Sequence, residues 1–267
     1  PRYFDPERTA FVRREIATGR LNARQIPTMD YQWPFWLWQQ LDVESSAYNP
    51  SSWLLTNHTH RNWTNLSSPG CDSVAWVDPQ GALTPTPYGW SLELWIGSGK
   101  QLISAATQNH VVQTLEEGNP VITTTFTAVG LHVTTEHFMI PHEKGAGSVM
   151  MQVSVVNPTQ TAKTFSVYFA IRPTNPLGLT PIQDIVFLSN NAFVVDHRLG
   201  VVLDSAPDNV VCLPHKEGDV AHQITSFEMI LQTECQTHLA SGFAQYHLTL
   251  KPGEERQLSA KIPSGTQ

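Results

Sequence analysis

Apolar and polar residues alternate along much of the chain, a pattern typical of half-buried β-strands. Val121–Phe126 and Leu131–Met139 are two such runs, and Ala128–Val129–Gly130 lies between them, so the pattern predicts a hairpin. Val149–Val156 and Thr164–Ile171 predict a second hairpin. Its turn is expected in the Asn-Pro-Thr-Gln sequence that begins at residue 157, because these residue types favour turns.

The same pattern continues towards the C-terminus. Turns are expected at Asp196–Leu199 and in the Lys-Pro-Gly-Glu sequence that begins at residue 251. The intervening runs predict five more strands: Ala192–Val195, Gly200–Leu203, Phe227–Gln232, Phe243–Leu250 and Arg256–Ile262. Helical patterns that would connect parallel strands are missing between these runs. The sequence therefore predicts an all-β fold, a large antiparallel β-sandwich of the kind called a supersandwich.

One of these runs defines a core face. Alternation within Thr164–Ile171 predicts that its side chains divide between the two faces of a sheet. We expect Tyr168 on one face and four apolar side chains on the other, namely Phe165, Val167, Phe169 and Ile171.

The first 48 residues have a different character. Helical spacing over Thr9–Ile16 predicts a short helix, and Trp33–Trp38 contains four aromatic residues in six positions. We therefore divide the chain into an N-terminal segment, residues 1–48, and a β-sandwich domain, residues 49–263. Residues 264–267 are expected to begin a linker to a further, C-terminal domain.

Composition excludes several classes of function. The chain of 267 residues is 40% hydrophobic and 15% charged, with a net charge of -7, so it offers no basic stripe for nucleic acid or for an anionic membrane. The three cysteines show no spacing typical of a zinc site, and we expect free thiols rather than a disulfide framework. Sequence motifs for a nucleotide or another cofactor are missing, so no cofactor is predicted.

Tryptophan is unevenly distributed. All eight tryptophans lie between Trp33 and Trp95. The rings either seal one end of the sandwich and cover a partner domain, or stack on the apolar faces of sugars. With the polar cluster that begins at residue 57, they supply the candidate sugar-binding residues: Trp36, Trp38, His58, His60, Arg61, Trp63, Trp90 and Trp95.

The sequence supports a catalytic or metal-binding site less strongly than a sugar-binding site. His58 and His60 have the spacing of a two-histidine metal pair, but nothing nominates a third ligand, so no metal site is predicted. His132 and Glu136 share one face of a predicted strand, with His137 on the other, and such a pair can transfer protons. Asp72, Asp78 and Glu93 are three carboxylates that lie within the tryptophan-rich region, and glycoside hydrolysis would need two.

Several strings resemble one family. The sequences at 57–63 (NHTHRNW), 75–81 (AWVDPQG) and 89–95 (GWSLELW) resemble the N-terminal β-supersandwich of bacterial glycosidase-like proteins. Two later strings agree, VVNP at 155–158 with FAIRPTNPLG at 169–178, and LKPGE at 250–254. The likeness covers roughly residues 50–263. In those proteins a galactose-mutarotase-like sandwich precedes an (α/α)6 barrel of the six-hairpin glycosidase group.

The resemblance implies an accessory domain without catalytic residues of its own. Its expected partner is a C-terminal (α/α)6 barrel of the same polypeptide, which carries the catalytic carboxylates in that group. Carbohydrate is the expected ligand. Two alternatives stay open: a free-standing mutarotase-like sugar epimerase that uses a His/Glu pair, and an independent carbohydrate-binding module.

Overall fold

The computed structural model describes residues 63–108, 110–115, 118–175, 178–225 and 228–264. In this part of the chain the regular structure consists of antiparallel β-strands and four single-turn 3-10 helices at Ala105–Thr107, Glu143–Gly145, His215–Glu217 and Val220–Gln223. The predicted helix over residues 9–16 lies outside the described residues. Among the described residues, no helix has both the length and the apolar character needed to cross a bilayer.

One layer of the fold is an eight-stranded sheet, here called sheet A. Its strands lie in the order β1-β2-β3-β4-β10-β18-β16, and β5 pairs with β4. The bounds are β1 Thr64–Leu66, β2 Ala75–Val77, β3 Leu83–Thr84, β4 Ser91–Ser98, β5 Gln101–Ser104, β10 Lys163–Arg172, β16 Asn209–Leu213 and β18 Ser241–Leu250.

The second layer is a nine-stranded sheet, here called sheet B. Its strand order is β17-β13-β14-β15-β19-β9-β8-β7-β6, and a small hairpin of β11 (Thr174–Asn175) and β12 (Gly178–Leu179) stands apart. The bounds are β6 Val112–Leu115, β7 Ile122–Ala128, β8 Leu131–Pro141, β9 Gly147–Val156, β13 Asp184–Leu188, β14 Ala192–Val195, β15 Arg198–Leu203, β17 Gln232–Glu234 and β19 Glu255–Ser264.

The two sheets pack face to face around one large apolar core. Strand β10 contributes four side chains to it, and each is 2% exposed or less: Phe165, Val167, Phe169 and Ile171. Tyr168 belongs to a second cluster on the opposite face of sheet A. The predicted sandwich and the predicted division of this strand are therefore confirmed.

The two sheets differ in how their outer faces meet solvent. On β8 of sheet B, buried residues alternate with exposed or half-buried ones, as expected for a sheet with one wet face. On β10 of sheet A every residue from Phe165 to Arg172 is buried. The outer face of sheet A is therefore covered, and the alternation in the sequence did not indicate this.

The predicted hairpin between β9 and β10 is wrong. These consecutive strands belong to different sheets, so residues 157–162 carry the chain from sheet B to sheet A. The β18–β19 connection crosses back in the same way at Lys251–Glu254. A turn signal specifies a reversal of direction, but it does not specify whether the next strand joins the same sheet.

Asn157 ties these two crossings together. It is fully buried, and its side-chain Nδ2 donates to the carbonyl oxygens of Thr161 (2.8 Å) and Leu250 (3.0 Å). Its backbone N–H donates to Glu254 O at 3.0 Å, and Gly253 N–H donates to Asn157 O at 2.8 Å. The asparagine thus bonds to both of these connections, which are two of several between the sheets.

Two other predicted turns are confirmed. Val129 and Gly130, with φ of 46° and 81°, link β7 to β8. Asp196 and His197, with φ of 49° and 63°, link β14 to β15, so this turn is shorter than predicted. Two consecutive positive φ angles are typical of type I′ turns, whose twist suits paired strands.

The strand predicted over residues 227–232 is wrong in its bounds. Phe227 lies outside the described residues, and β17 begins only at Gln232. Ile230 instead makes an isolated parallel bridge with Val211. All three cysteines are free, as expected; Cys212 and Cys235 are buried and Cys71 is half-buried.

Truncating the core face of β10 tests the packing. Phe169 is completely buried between the sheets, so Phe169→Ala should lower the free energy of unfolding by about 3–5 kcal/mol in urea titration. Thr164→Ala, at an exposed position on the same strand, is the control and should change it by about 0.5 kcal/mol or less. A loss below about 1 kcal/mol for Phe169→Ala would show that the two sheets do not pack tightly here.

Candidate functional site

The outer face of sheet A brings charged and aromatic side chains together. On β4, Leu92, Leu94 and Ile96 point into the core, so Glu93 and Trp95 point outward. Strand β10 lies beside β4, with Tyr168 across from Trp95 and Arg172 across from Ser91. Residues separated in sequence therefore share one surface.

Arg172 is the most unusual member of this face. Its side chain is completely buried and bonds Asp219 through two parallel contacts of 2.6 and 2.8 Å. The Arg172 Cζ also lies 5.0 Å from the centroid of the Trp95 ring, a cation–π distance. A buried guanidinium needs such partners, because the cost of removing its charge from water is large.

Each charge of the Arg172–Asp219 pair stabilises the ionised form of the other. Burial by itself would raise the pKa of Asp219, but the charge and hydrogen bonds of Arg172, together with Ala221 N–H, hold it below its usual value. Burial would likewise lower the pKa of Arg172, and Asp219 outweighs this and raises it. Both groups are therefore ionised in the folded protein at neutral pH.

Asp219 also anchors the segment that covers sheet A. Residues 219–224, here called the cover, pack Val220, Ala221 and Ile224 against the outer face. Tyr168 Oη donates to Ile224 O at 3.1 Å, and the Tyr168 ring meets Phe243 edge to face at 5.1 Å. The cover therefore explains why the outer face of β10 is buried.

Glu93 is a half-buried residue near this pair, and its Oε2 accepts a 2.9 Å hydrogen bond from Trp95 Nε1. Burial raises its pKa to about 7, against the lowering effects of the Arg172 charge and the Trp95 bond. The negative charges of Asp78 and Asp219 add to the rise. Glu93 can therefore take up or release a proton near neutral pH.

An aromatic cluster of Trp63, Trp76 and Tyr88 lies on the same sheet. Trp76 follows Ala75 and precedes Val77, both core residues, so its ring points outward. The Trp63 and Trp76 centroids are 5.2 Å apart, and those of Trp76 and Tyr88 are 5.4 Å apart. Trp76 is 9% exposed and Tyr88 71% exposed, while Trp63 is half-buried.

Asp78 directly follows Val77, the last residue of β2, and shapes the turn after this strand. It is 3% exposed, and its Oδ1 accepts hydrogen bonds from the backbone N–H groups of Gln80 and Ala82, both at 2.9 Å. Asp78 thus stabilises a turn in a manner typical of aspartate.

A cavity of about 600 Å³ opens beside the cover. It lies between the β5 region and the residues that follow Asp219. Among the described residues, its lining combines polar and apolar groups without a carboxylate: Lys100, Gln101, Leu102, Ile103, Thr107, Gln108, Ala221, His222, Ile224 and Thr225. Such a lining suits binding rather than acid–base hydrolysis.

The eight predicted sugar-binding residues lie in different environments. Trp63 belongs to the aromatic cluster, and half-buried Trp90 packs against the main core. Trp95 is completely buried beneath the cover, so the expectation of a solvent-accessible ring does not hold for it. The other five lie outside the described residues: Trp36, Trp38, His58, His60 and Arg61.

The predicted histidine–glutamate pair lies elsewhere. His132 and Glu136 are on the solvent-facing side of sheet B, the far side of the sandwich from Glu93. His137 points into the sandwich, is fully buried, and has its pKa lowered to about 4 by burial. The predicted division of these three side chains is correct, but His132 and Glu136 are separated from the aromatic cluster by both sheets.

Three important residues were missed by sequence reasoning. Arg172 ends an apolar strand and was taken only as part of a family string, although a lone charge after such a run is a recognisable signal. Asp219 gives no local signal, because its role depends on a residue 47 positions away. Tyr88 lies in a Thr-Pro-Tyr-Gly sequence, which is typical of a turn but does not indicate that the tyrosine ring is exposed.

Comparison with known proteins was made by sequence and by structure. No protein-family model matches the chain, and no curated protein matches it. Among solved structures, it is similar to a protein described as a kojibiose phosphorylase, from the human microbiome, at 6% identity and a TM-score of 0.36. That match covers 79% of this chain and 26% of the other.

Two further similarities involve proteins with carbohydrate-related descriptions. A polysaccharide lyase is 13% identical, with a TM-score of 0.37 and coverage of 78% of this chain and 33% of that one. A galactose mutarotase-like protein from Lactobacillus casei is 8% identical, with a TM-score of 0.37 and coverage of 76% and 100%. The chain thus spans a third or less of the phosphorylase and the lyase, and similarities at these scores carry no argument about function.

Removing one charge of the buried pair tests its role. Asp219→Asn leaves the Arg172 charge without its main partner, so the free energy of unfolding at pH 7 should fall by about 3–5 kcal/mol. The double variant Arg172→Met, Asp219→Asn removes both charges and should recover a large part of that loss. If the single variant loses less than about 1 kcal/mol, the pair does not anchor the cover.

The raised pKa of Glu93 predicts a pH-dependent stability. Between pH 4.5 and about 7, folded Glu93 keeps a proton that the unfolded chain has released, so its contribution to stability falls as pH rises. Glu93→Gln abolishes this fall, and the variant should gain roughly 3 kcal/mol on wild type between pH 4.5 and 8. The lowered pKa of His137 makes its own contribution to stability rise with pH. Both proteins contain His137, so this effect cancels in the difference between them at each pH.

Glu255→Gln is the matched control for this titration. The Glu255 carboxylate is solvent-exposed, and hydrogen bonds from Gln257 and Ser154 lower its pKa. Its replacement should change the profile in the opposite direction, because stability from a lowered carboxylate pKa is lost as pH falls. A Glu93→Gln profile parallel to wild type would mean that the carboxylate is fully hydrated.

Proposed function

We propose that this chain is an accessory, non-catalytic β-sandwich domain of a carbohydrate-active protein, and that it contacts sugar through the outer face of sheet A. One observation carries the proposal: an open aromatic cluster lies on the same face as carboxylates that are engaged in structural contacts. The family resemblance of the sequence supports the same class.

The aromatic cluster suits a sugar ligand. Indole and phenol rings offer flat apolar faces that match the C–H faces of pyranose rings, with a polar edge for hydroxyl groups. Trp63 and Tyr88 leave part of their rings accessible, and Asn65, whose register partner is Trp76, is an exposed amide on the same face. Glu93 adds an acceptor for sugar hydroxyls.

The carboxylates of this face favour binding over hydrolysis. Hydrolysis of a glycosidic bond needs two carboxyl groups flanking a cleft, separated by ~5–9.5 Å. Asp219 is paired with Arg172 beneath the surface, and Asp78 is buried in its turn. Glu93 is half-buried and bonded by Trp95, so these three residues do not supply two carboxyl groups that flank an open cleft.

The partner in this proposal is a C-terminal (α/α)6 barrel of the same polypeptide. Its basis is the family resemblance, in which a sandwich of this kind packs against such a barrel. Half-buried tryptophans support an interface role, because rings of this size at a surface mark contact sites. The catalytic carboxylates then belong to the barrel, and the sandwich shapes or extends its cleft.

A mutarotase-like activity is the second candidate, and Glu93 favours it. A carboxyl group with a pKa of about 7 beside an aromatic surface can exchange a proton with an anomeric hydroxyl group. In this candidate function, Glu93 takes the proton-transfer role that the sequence analysis considered for His132 and Glu136, which lie on the other sheet. Anomerisation also requires a second proton-transfer group for the ring oxygen, and this makes the accessory role the stronger proposal.

Saccharide binding by the purified chain tests the two candidates together. Calorimetric titration with gluco-, galacto- and manno-oligosaccharides of one to six units should detect binding that Trp63→Ala weakens about three- to tenfold. Leu188→Ala, at a similarly accessible apolar side chain on sheet B, is the control and should leave binding unchanged. Aryl glycosides should not be hydrolysed.

Different results would contradict the accessory role and support the mutarotase-like activity. Absence of binding to every saccharide, or hydrolysis that Glu93→Gln abolishes, would contradict the accessory role. Polarimetry of freshly dissolved α-glucose and α-galactose separates the second candidate. Accelerated anomerisation that is lost in Glu93→Gln would replace the accessory role with a mutarotase-like activity.

A further inference from the structure

The turn that carries Tyr88 is strained. Gly89 N–H donates to Thr86 O at 2.9 Å, which closes a four-residue turn with Pro87 in its second position. Tyr88, in the third position, has φ of +65°. This is the arrangement of a type II turn, whose third position favours glycine because a side chain there crowds the backbone.

The glycine of this turn is required at its last position. A Cβ atom at Gly89 would lie 2.6 Å from Thr86 Oγ1 and 3.0 Å from Thr86 O. Glycine at residue 89 thus relieves a close contact, while the positive φ falls on a bulky residue. A tyrosine at such a position is energetically unfavourable unless the surrounding structure holds it.

The β11–β12 region holds the turn through its backbone. Thr180 Oγ1 donates to Tyr88 O at 2.8 Å, and Asn175 Nδ2 donates to Gly89 O at 2.9 Å. Thr180 and Asn175 are 2% and 4% exposed, so their side chains are buried supports. Neither bond involves the tyrosine ring, and a residue without a ring would keep both.

The ring itself is presented to solvent. Tyr88 is 71% exposed, the highest value among the large apolar side chains of the described residues. Its one described ring contact is the edge-to-face arrangement with Trp76, at 5.4 Å. The ring therefore contributes little to the core, although its backbone position is costly.

We propose that Tyr88 is the outermost sugar-stacking ring of the aromatic cluster, held in place by the strained turn so that an oligosaccharide contacts Tyr88 and Trp63 together. The two rings flank Trp76 at 5.4 and 5.2 Å, so a ligand longer than one sugar can reach both. Because the backbone that carries the ring is held by two buried side chains, it loses little freedom on binding, which favours affinity. This inference rests on the proposed sugar-binding function and names its ligand class.

The variant Tyr88→Gly separates a binding role from a structural one. Glycine relieves the positive φ and keeps the bonds from Thr180 and Asn175, so the melting temperature should stay the same or rise. Affinity for the oligosaccharide that binds wild type best should fall about three- to tenfold, with a smaller effect on the matching monosaccharide. Tyr88→Phe keeps the ring and should bind within about twofold of wild type.

Other outcomes overturn the inference in separable ways. If Trp63→Ala weakens binding but Tyr88→Gly does not, sugar binding stands and the role of Tyr88 is wrong. A lower melting temperature in Tyr88→Gly would make the ring a structural support. A wild-type dimer that Tyr88→Gly dissociates, with saccharide affinity unchanged, would assign the ring to a protein contact. Absence of saccharide binding by wild type would reject this inference together with the proposed function.

Discussion

A guanidinium group with no access to solvent constrains the whole outer face of sheet A. Arg172 stands at the end of a strand that is buried and uncharged from Phe165 to Ile171, so its charge needs a partner from outside the sheet. Asp219 supplies that partner and brings residues 219–224 onto Trp95 and Tyr168. The burial of the outer face and the local environment of Glu93 follow from this ion pair.

The sandwich itself depends on a second, neutral network. Two connections cross between the sheets at one end, and Asn157 bonds to both of them from a completely buried position. Because buried amide groups are costly when left unpaired, this side chain favours one arrangement of the crossings over others. Strands β9, β10, β18 and β19, each of which has a neighbour on both sides in its sheet, are thereby fixed relative to one another.

These two networks explain the distribution of accessible chemistry. Asp219 and Asp78 stabilise the fold and are buried, whereas Glu93 and the rings of Trp63 and Tyr88 keep some exposure on the same face. An aromatic surface with one half-buried carboxyl group suits recognition of hydroxyl-rich ligands better than bond cleavage. The strained Tyr88 turn fits this picture, because strain tends to be retained where a side chain has a function.

The all-β class, most strand positions and the division of Thr164–Ile171 between two faces could be predicted from the sequence, because alternation and turn residues act locally. The assignment of β9 and β10 to different sheets could not, since turn chemistry is the same for a hairpin and for a crossing. Of the predicted sugar-binding residues, Trp63 lies in the aromatic cluster, whereas Trp95 is buried, because the cover that encloses it is more than a hundred residues away in sequence. The partnership of Arg172 with Asp219, the raised pKa of Glu93 and the exposure of Tyr88 were likewise decided by tertiary structure, because each depends on which distant groups surround a side chain.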